Sequence, residues 1–265
     1  MTRASSRRSE GSLQTGRALF IVLALSSCTR RDADVMPRVK QALAEREKKL
    51  SSYRFSAVAT QGFATARHAF AFRAPNKMHG VLMEPDRFEW AFDGTTLFQA
   101  KPREKKLLLY QLKLPAAKAS AFLHQTFAPF VFEGFRTPLL PSNATAKEVT
   151  SERGPAVEIS STLDDDGSAV EVKYLLKWPS GDFISKTSVA GKTMSELHVD
   201  EEQCDEKLAL CVPKKVTQRA NGKLVGSTTL SDITLLADLP ASDFSLKADD
   251  GWTTETHEVV ETGAP

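Results

Sequence analysis

The chain has 265 residues, 41% of them hydrophobic and 26% charged, with 35 Lys and Arg against 33 Asp and Glu. That mixture excludes a disordered chain, and a chain of this length buries enough surface to fold without a metal or a dense disulfide framework. A formal net charge of +2 offers no basic footprint for nucleic acid, which needs a clustered excess of Lys and Arg.

Residues 1–27 read as an export signal. Arg3, Arg7, Arg8 and Arg17 form a positive leader, and Ala18 to Leu25 (ALFIVLAL) is an uninterrupted apolar run. Eight residues rise only about 12 Å as a helix, against roughly 30 Å of bilayer core, so the run is a signal core and not a membrane span. It ends in Leu25-Ser26-Ser27-Cys28, which resembles the bacterial lipobox. In that signal the cysteine is acylated, palmitate being one such chain, and becomes the mature N-terminus. Residues 28–33 are then a lipidated tether, which holds the protein to a membrane of the cell envelope facing the periplasm. Thr29 after the cysteine points to the outer membrane by the enterobacterial sorting rule. Removing the signal takes away four arginines and one glutamate, which turns the small positive net charge slightly negative.

The remaining cysteines, Cys204 and Cys211, stand seven apart in CDEKLALC. In an exported chain this spacing favours a local disulfide over a metal site, and the nearest histidine, His198, does not complete a zinc ligand set.

Residues 32–52 read as one helix. Val35, Val39, Leu43 and Leu50 fall on one stripe among Lys, Glu and Arg, with Asp34 as cap and Pro37 in the first turn. The period then changes to two. Phe55, Ala57 and Ala59 share a face, as do Phe70 with Phe72 and Phe88 with Trp90 and Phe92. Asp93-Gly94 marks a turn, and Leu107 to Leu114 resumes as a strand after Pro102-Arg103-Glu104. Residues 116–127 return to helical spacing with Phe122, Leu123 and Phe127, bounded by Pro115 and Pro129; Phe130, Phe132 and Phe135 follow. Further strands are expected at 157–159, 170–176, 183–189, 194–199, 212–219 and 224–230, with Asn221-Gly222 as a hairpin turn. The fold class is α+β and mainly β, with ten or eleven antiparallel strands, a leading helix and an inserted one. Residues 34–249 form a single domain, and residues 250–265 a loose polar tail.

Catalytic signals are missing. His68, His79, His124, His198 and His257 are dispersed, and the chain has no G-x-S-x-G, no H-E-x-x-H and no Gly-rich phosphate loop. Asp164-Asp165-Asp166-Gly167 reads as a solvated hairpin turn rather than a calcium loop. No enzyme activity and no cofactor is expected. What stands out is aromatic surface with few polar handles: 15 Phe against 3 Tyr and 3 Trp. These rings either fill a core or line a cavity for acyl chains, and periodicity does not separate the two.

Four segments in order resemble the LolA/LolB superfamily of bacterial lipoprotein carriers and receptors, which includes LppX-like glycolipid-binding lipoproteins. They are LSSYRFSAVATQ, FRAPNKMHG, WAFDGTTLFQAKPREKKLL and LSDITLLADLPASDFSL. The resemblance implies a half-open antiparallel barrel closed on one side by helices, with an apolar cavity for the acyl chains of a lipoprotein or lipid passenger. On that reading Phe55, Phe70, Phe72, Phe88, Trp90, Phe92, Leu107 and Leu109 line the cavity, and Phe122, Leu123, Phe127, Phe130 and Phe132 belong to a lid. The expected protein is a monomeric envelope lipoprotein that carries or sorts such cargo towards the outer membrane. The alternative is the same scaffold with a filled core, acting by protein interaction or sensing. One departure stands out: soluble carriers of this family often have an Arg just before the Pro of the FRAPN segment, tethering the lid. Here Ala74 holds that place and Arg73 lies one residue earlier, on the opposite face of a strand.

Overall fold

A computed structural model describes residues 35–138, 140–165 and 168–260. The export signal, Cys28 with its tether, Asp34, and Asp166-Gly167 of the acidic turn lie outside the described residues.

The described residues begin with helix α1 (Val35–Lys49), shorter at its C-terminal end than its stripe suggests. Val39 and Leu43 are buried as expected, and so are Met36 and, unexpectedly for a charged residue, Arg46. Leu50 is buried too, in the turn beyond the helix, where its N–H reaches the Arg46 carbonyl at 3.1 Å.

Six strands follow: β1 (Ser52–Gln61), β2 (Ala64–Arg73), β3 (Lys77–Glu84), β4 (Phe88–Phe92), β5 (Thr96–Lys101) and β6 (Lys106–Lys113). Helix α2 (Ala116–Phe127) interrupts them. The second series comprises β7 (Thr145–Ser151), β8 (Gly154–Asp165), β9 (Ser168–Lys177), β10 (Phe183–Ala190), β11 (Thr193–Asp205), β12 (Leu210–Ala220) and β13 (Lys223–Leu235), and β14 (Thr253–Val260) closes the chain. All belong to one 14-stranded sheet in the order β14-β6-β5-β4-β3-β2-β1-β13-β12-β11-β10-β9-β8-β7. It is antiparallel except for the parallel β14–β6 pair, and it stays open, with β14 and β7 at its edges.

Turn chemistry sets the hairpins. Asn221 and Gly222 both take positive φ (48° and 77°), as a two-residue hairpin turn requires. Asp93 Oδ1 accepts the N–H of Thr95 and of Thr96 at 2.8 Å, folding β4 back onto β5.

The strand count exceeds the expected ten or eleven because three strands lack a clean period of two. In β3, Gly80 interrupts the apolar set, and Val81 and Met83 place apolar side chains on the other face. β7 (TAKEVTS) is mostly polar. The C-terminal residues are the larger correction. The segment read as a loose tail supplies β14, which pairs with β6 from Thr253↔Lys106 to Val260↔Lys113. Trp252 and Leu246 pack on the cluster of Ala91, Phe98 and Leu107, and Lys106 reaches Glu255 at 2.8 Å, so a polar segment is docked by backbone pairing at a free edge.

Both helices pack on one face of the sheet, the inner face. Cross-strand register puts Tyr53, Phe55, Phe70, Phe72, Met78, Phe92 and Leu97 on that face, where they form a cluster with Leu123 and Phe127 of α2. The same parity continues through β13 and β12 to Val199, Tyr174, Val157 and Ile159, which pack with Met36, Val39 and Leu43 of α1. Among the described residues no helix is long and apolar enough to cross a membrane.

Candidate functional site

The inner face over β1–β6 carries six of the eight residues expected to line a cavity: Phe55, Phe70, Phe72, Phe88, Trp90 and Phe92. Leu107 and Leu109 do not belong there. They pair with Ala100 and Phe98 and face outwards, in a separate cluster with Ala91, Leu246 and Trp252. The inner-face residues of β6 are Leu108, Tyr110 and Leu112, one position out of phase. Every residue of this strand from Leu107 to Leu109 is leucine, so the alternation that reveals facing is missing, and β14 with its flanking Trp252 makes the outer face apolar too.

The segment expected as a lid lies against this face. Leu123 and Phe127 of α2, then Phe130 and Phe135, are buried; Phe122 and Phe132 are partly buried. Phe135 meets Phe55 at 4.8 Å and Tyr53 at 5.1 Å between ring centroids, and Phe130 stacks on Phe88 at 5.9 Å. The sheet is notched for Phe130. A Cβ on Gly80 would stand 2.6 Å from its ring, so only glycine allows the contact.

Residues 133–137 are pinned by polar contacts. Arg46, 4% exposed, donates through Nη2 to the Gly134 carbonyl at 2.5 Å and to the Cys211 carbonyl at 3.1 Å, and through Nε to Asp182 at 3.3 Å. Asp182 also accepts from the Cys211 N–H and from Ser180. Burial pushes the Arg46 guanidinium below its ordinary pKa, and the Asp182 carboxylate opposes that shift. Gly134 sits at φ +91° with Pro213 where a Cβ would go, which again requires glycine. Glu133 pairs with Lys186 at 2.6 Å, and the Arg136 guanidinium lies 5.9 Å from the rings of Phe70 and of Phe72. Arg73 faces away, as its register implies, and donates to the Leu239 carbonyl at 2.7 Å. Cys204 and Cys211 are directly paired across β11–β12 and joined by a disulfide, next to the Arg46–Asp182 pair.

The aromatic segment fills the middle of the inner face and leaves a cavity on each side. One, of about 640 Å³, lies between the β1–β2 and β12–β13 hairpins and residues 128–133, with Ala66, Val131, Phe132, Leu197 and Val216 among its walls. The other, of about 800 Å³, lies under α2 and is walled by Leu50, Phe72, Met78, Phe92, Leu112 and Leu123. Both have the volume of a small-molecule site and mainly apolar walls. Sequence reasoning missed Arg46, Asp182 and His68. Arg46 was findable, because it stands seven residues after Val39 on the buried stripe of α1.

No protein-family model matches the chain, nor does any curated protein sequence. Solved structures do. A LolA superfamily protein from Nitrosomonas europaea superposes with a TM-score of 0.50 at 10% identity, over 78% of this chain and 97% of that one. The fold is that of the LolA superfamily. Two further solved structures superpose on the chain to a similar extent. An outer membrane lipoprotein-sorting protein domain from Vibrio parahaemolyticus gives a TM-score of 0.51 at 8% identity, covering 78% of this chain and 96% of that chain. A DUF1329 family protein from Desulfovibrio piger gives 0.53 at 8% identity, covering 80% and 97%. The open sheet with both helices on its inner face is therefore a LolA-like framework.

Proposed function

We propose that the protein is a membrane-anchored envelope lipoprotein that binds acyl chains of a lipoprotein or lipid on the inner face of its sheet, for transport or sorting to the outer membrane, without catalysis. The anchor is acylated Cys28, and the protein works as a monomer facing the periplasm. The observation that carries this reading is the pair of apolar cavities, about 640 and 800 Å³, separated only by the aromatic segment. Magnitudes favour exchange between that segment and cargo. A chain of about fifteen methylenes gains roughly 12 kcal/mol on leaving water, whereas re-exposing the rings of Phe127, Phe130 and Phe135 costs about 5–9 kcal/mol. Cargo can therefore displace rings of the aromatic segment, while the polar contacts of residues 133–137 keep the segment attached and ready to reseal the face when cargo leaves.

Burial of those same three rings favours a second reading, in which the face is a permanently filled core and the scaffold serves protein interaction or sensing. Native mass spectrometry with lipid extraction separates the two. All the described helices, strands and apolar clusters lie between residues 35 and 260, so the chain from Thr29 onwards keeps them all. Purified without detergent, it is expected to carry stoichiometric acyl-containing species that a folded Phe72→Asp variant loses. A clean protein that also takes up no offered lipid would sink the carrier reading and leave the second.

A further inference from the structure

We propose that the larger cavity, under α2, takes an amphiphile with a single anionic head, a carboxylate or a phosphate, and that the Arg136 guanidinium holds that head. The inference rests on the carrier reading and names the class of its cargo. Arg136 is part of the cavity wall, and its guanidinium stands over two other wall residues. Nη2 donates to the Met78 thioether, and the centre of the guanidinium lies 5.9 Å from the Phe72 ring, as it does from that of Phe70. A thioether is a weak acceptor, and an aromatic face offsets only part of a positive charge. Two other cations on this face are matched by carboxylates, Arg46 by Asp182 at 3.3 Å and Lys186 by Glu133 at 2.6 Å. Among the described residues Arg136 has no carboxylate within ion-pair distance.

The guanidinium can be reached. Nε and Nη1 have no hydrogen-bond partner in the protein, yet among the described residues the side-chain polar atoms buried without a partner are Tyr53 Oη and His68 Nε2 alone. Both Arg136 nitrogens therefore keep accessible surface. Phe70, Phe72 and Met78 belong to the sheet and occupy one side of the guanidinium, so its free side faces away from the sheet, into the space under α2. His124 of α2 lines that space too, and its imidazole is pushed below its ordinary pKa by burial and then by the charge of Arg136; Lys186 adds to the shift and Glu133 opposes it. The positive charge is thus felt across the cavity without being neutralised there. The carboxylate on the wall, Glu47, is exposed on α1, where water screens it, and accepts from Thr137 at 3.3 Å. An oxyanion accepts charge-assisted hydrogen bonds from the free N–H groups of Arg136, while its alkyl chain lies along Leu50, Phe92, Leu112 and Leu123. An uncharged or cationic head gains no such pairing.

The test is displacement of the uncharged fluorophore N-phenyl-1-naphthylamine from the chain beginning at Thr29, by decanoate, decyl phosphate, decanol and decyltrimethylammonium. Each is used below its micelle concentration and near pH 8, where decanoate and decyl phosphate are both ionised. The two anions are expected to bind about 10-fold more tightly than decanol, the worth of one charge-assisted hydrogen bond, and the cation most weakly. Whichever anion binds more tightly names the head as carboxylate or phosphate. Arg136→Gln should erase the preference while leaving decanol unchanged, and Arg136→Lys should keep part of it. The wild-type protein gives an independent readout. Saturation with decanoate should raise the His124 midpoint in an NMR titration, because the bound charge offsets that of Arg136, and decanol should not. Equal affinities for the anions and decanol, a preference that survives in Arg136→Gln, or a His124 midpoint that does not move would overturn the proposal while leaving acyl-chain binding intact. A protein that takes up neither the fluorophore nor, by calorimetry, decanol ends the carrier reading and the proposal with it.

Discussion

Two single residues decide how the aromatic segment sits, and neither is aromatic. Gly80 is the floor beneath Phe130, and its missing side chain is what brings the ring down to the sheet. Gly80→Ala forces the ring or the strand to move, and overpacking of this kind costs about 1–3 kcal/mol. A urea-unfolding midpoint lowered to match is expected, together with greater exposure of Phe130 to hydrogen exchange or quenching. Arg46 is the second. Its guanidinium joins α1, the Gly134 carbonyl, strand β12 and Asp182 in one buried knot. Arg46→Met leaves the Asp182 carboxylate buried without its cation, a loss of about 3–5 kcal/mol. Adding Asp182→Asn removes the stranded charge, so the double variant should unfold at a higher denaturant concentration than Arg46→Met alone.

Among elements, β14 has the least sequence signal and a clear structural role. It covers the free edge of β6, and Trp252 just before it packs on the cluster of Ala91, Phe98 and Leu107. Truncation after Asp249 exposes both a strand edge and an apolar patch, the combination that promotes sheet-to-sheet association. Size-exclusion chromatography should show a shift to larger oligomers or aggregate relative to the whole chain. The β3–β4 pair adds a pH signature on the outer face. Glu89 accepts from His79 at 2.8 Å, and that hydrogen bond, against the opposing effect of burial, holds the carboxyl below its ordinary pKa. A depressed carboxyl stabilises the fold above its unfolded value, near 4.3, and that contribution fades as pH falls below it through the folded value. Glu89→Gln should therefore flatten part of the acid limb of a stability–pH curve and leave its alkaline limb unchanged.

For the whole molecule, the question is where it is held and what it carries. Acylation at Cys28 predicts incorporation of labelled palmitate and recovery in the membrane fraction. Cys28→Ser should abolish both, and recovery of an unlabelled protein in the soluble periplasmic fraction of wild-type cells would refute the anchor. On the proposed reading, tethering suits short-range hand-over at a membrane surface better than free diffusion, because it would keep donor and acceptor within reach.

Much of this was legible from residue order alone. The period-two aromatics of β1, β2 and β4, the helical spacing of α2, and the Asn221-Gly222 and Asp93-Gly94 turns express local rules, in which side-chain alternation and backbone dihedrals report directly on the element. Those elements, with the four segments resembling LolA-like proteins, pointed to the fold class, and six of the eight residues expected at the cavity do lie on the inner face. The facing of Leu107 and Leu109, the place of β14, the burial of Arg46 against Asp182 and the unmatched nitrogen of His68 depended on the tertiary structure. Each is set by partners distant in sequence. A run of leucines has no intrinsic inside, a polar strand forms only where an edge is free, and a histidine is satisfied or unsatisfied only by what folds around it. Local periodicity determined the elements; non-local packing decided which of their faces became the site.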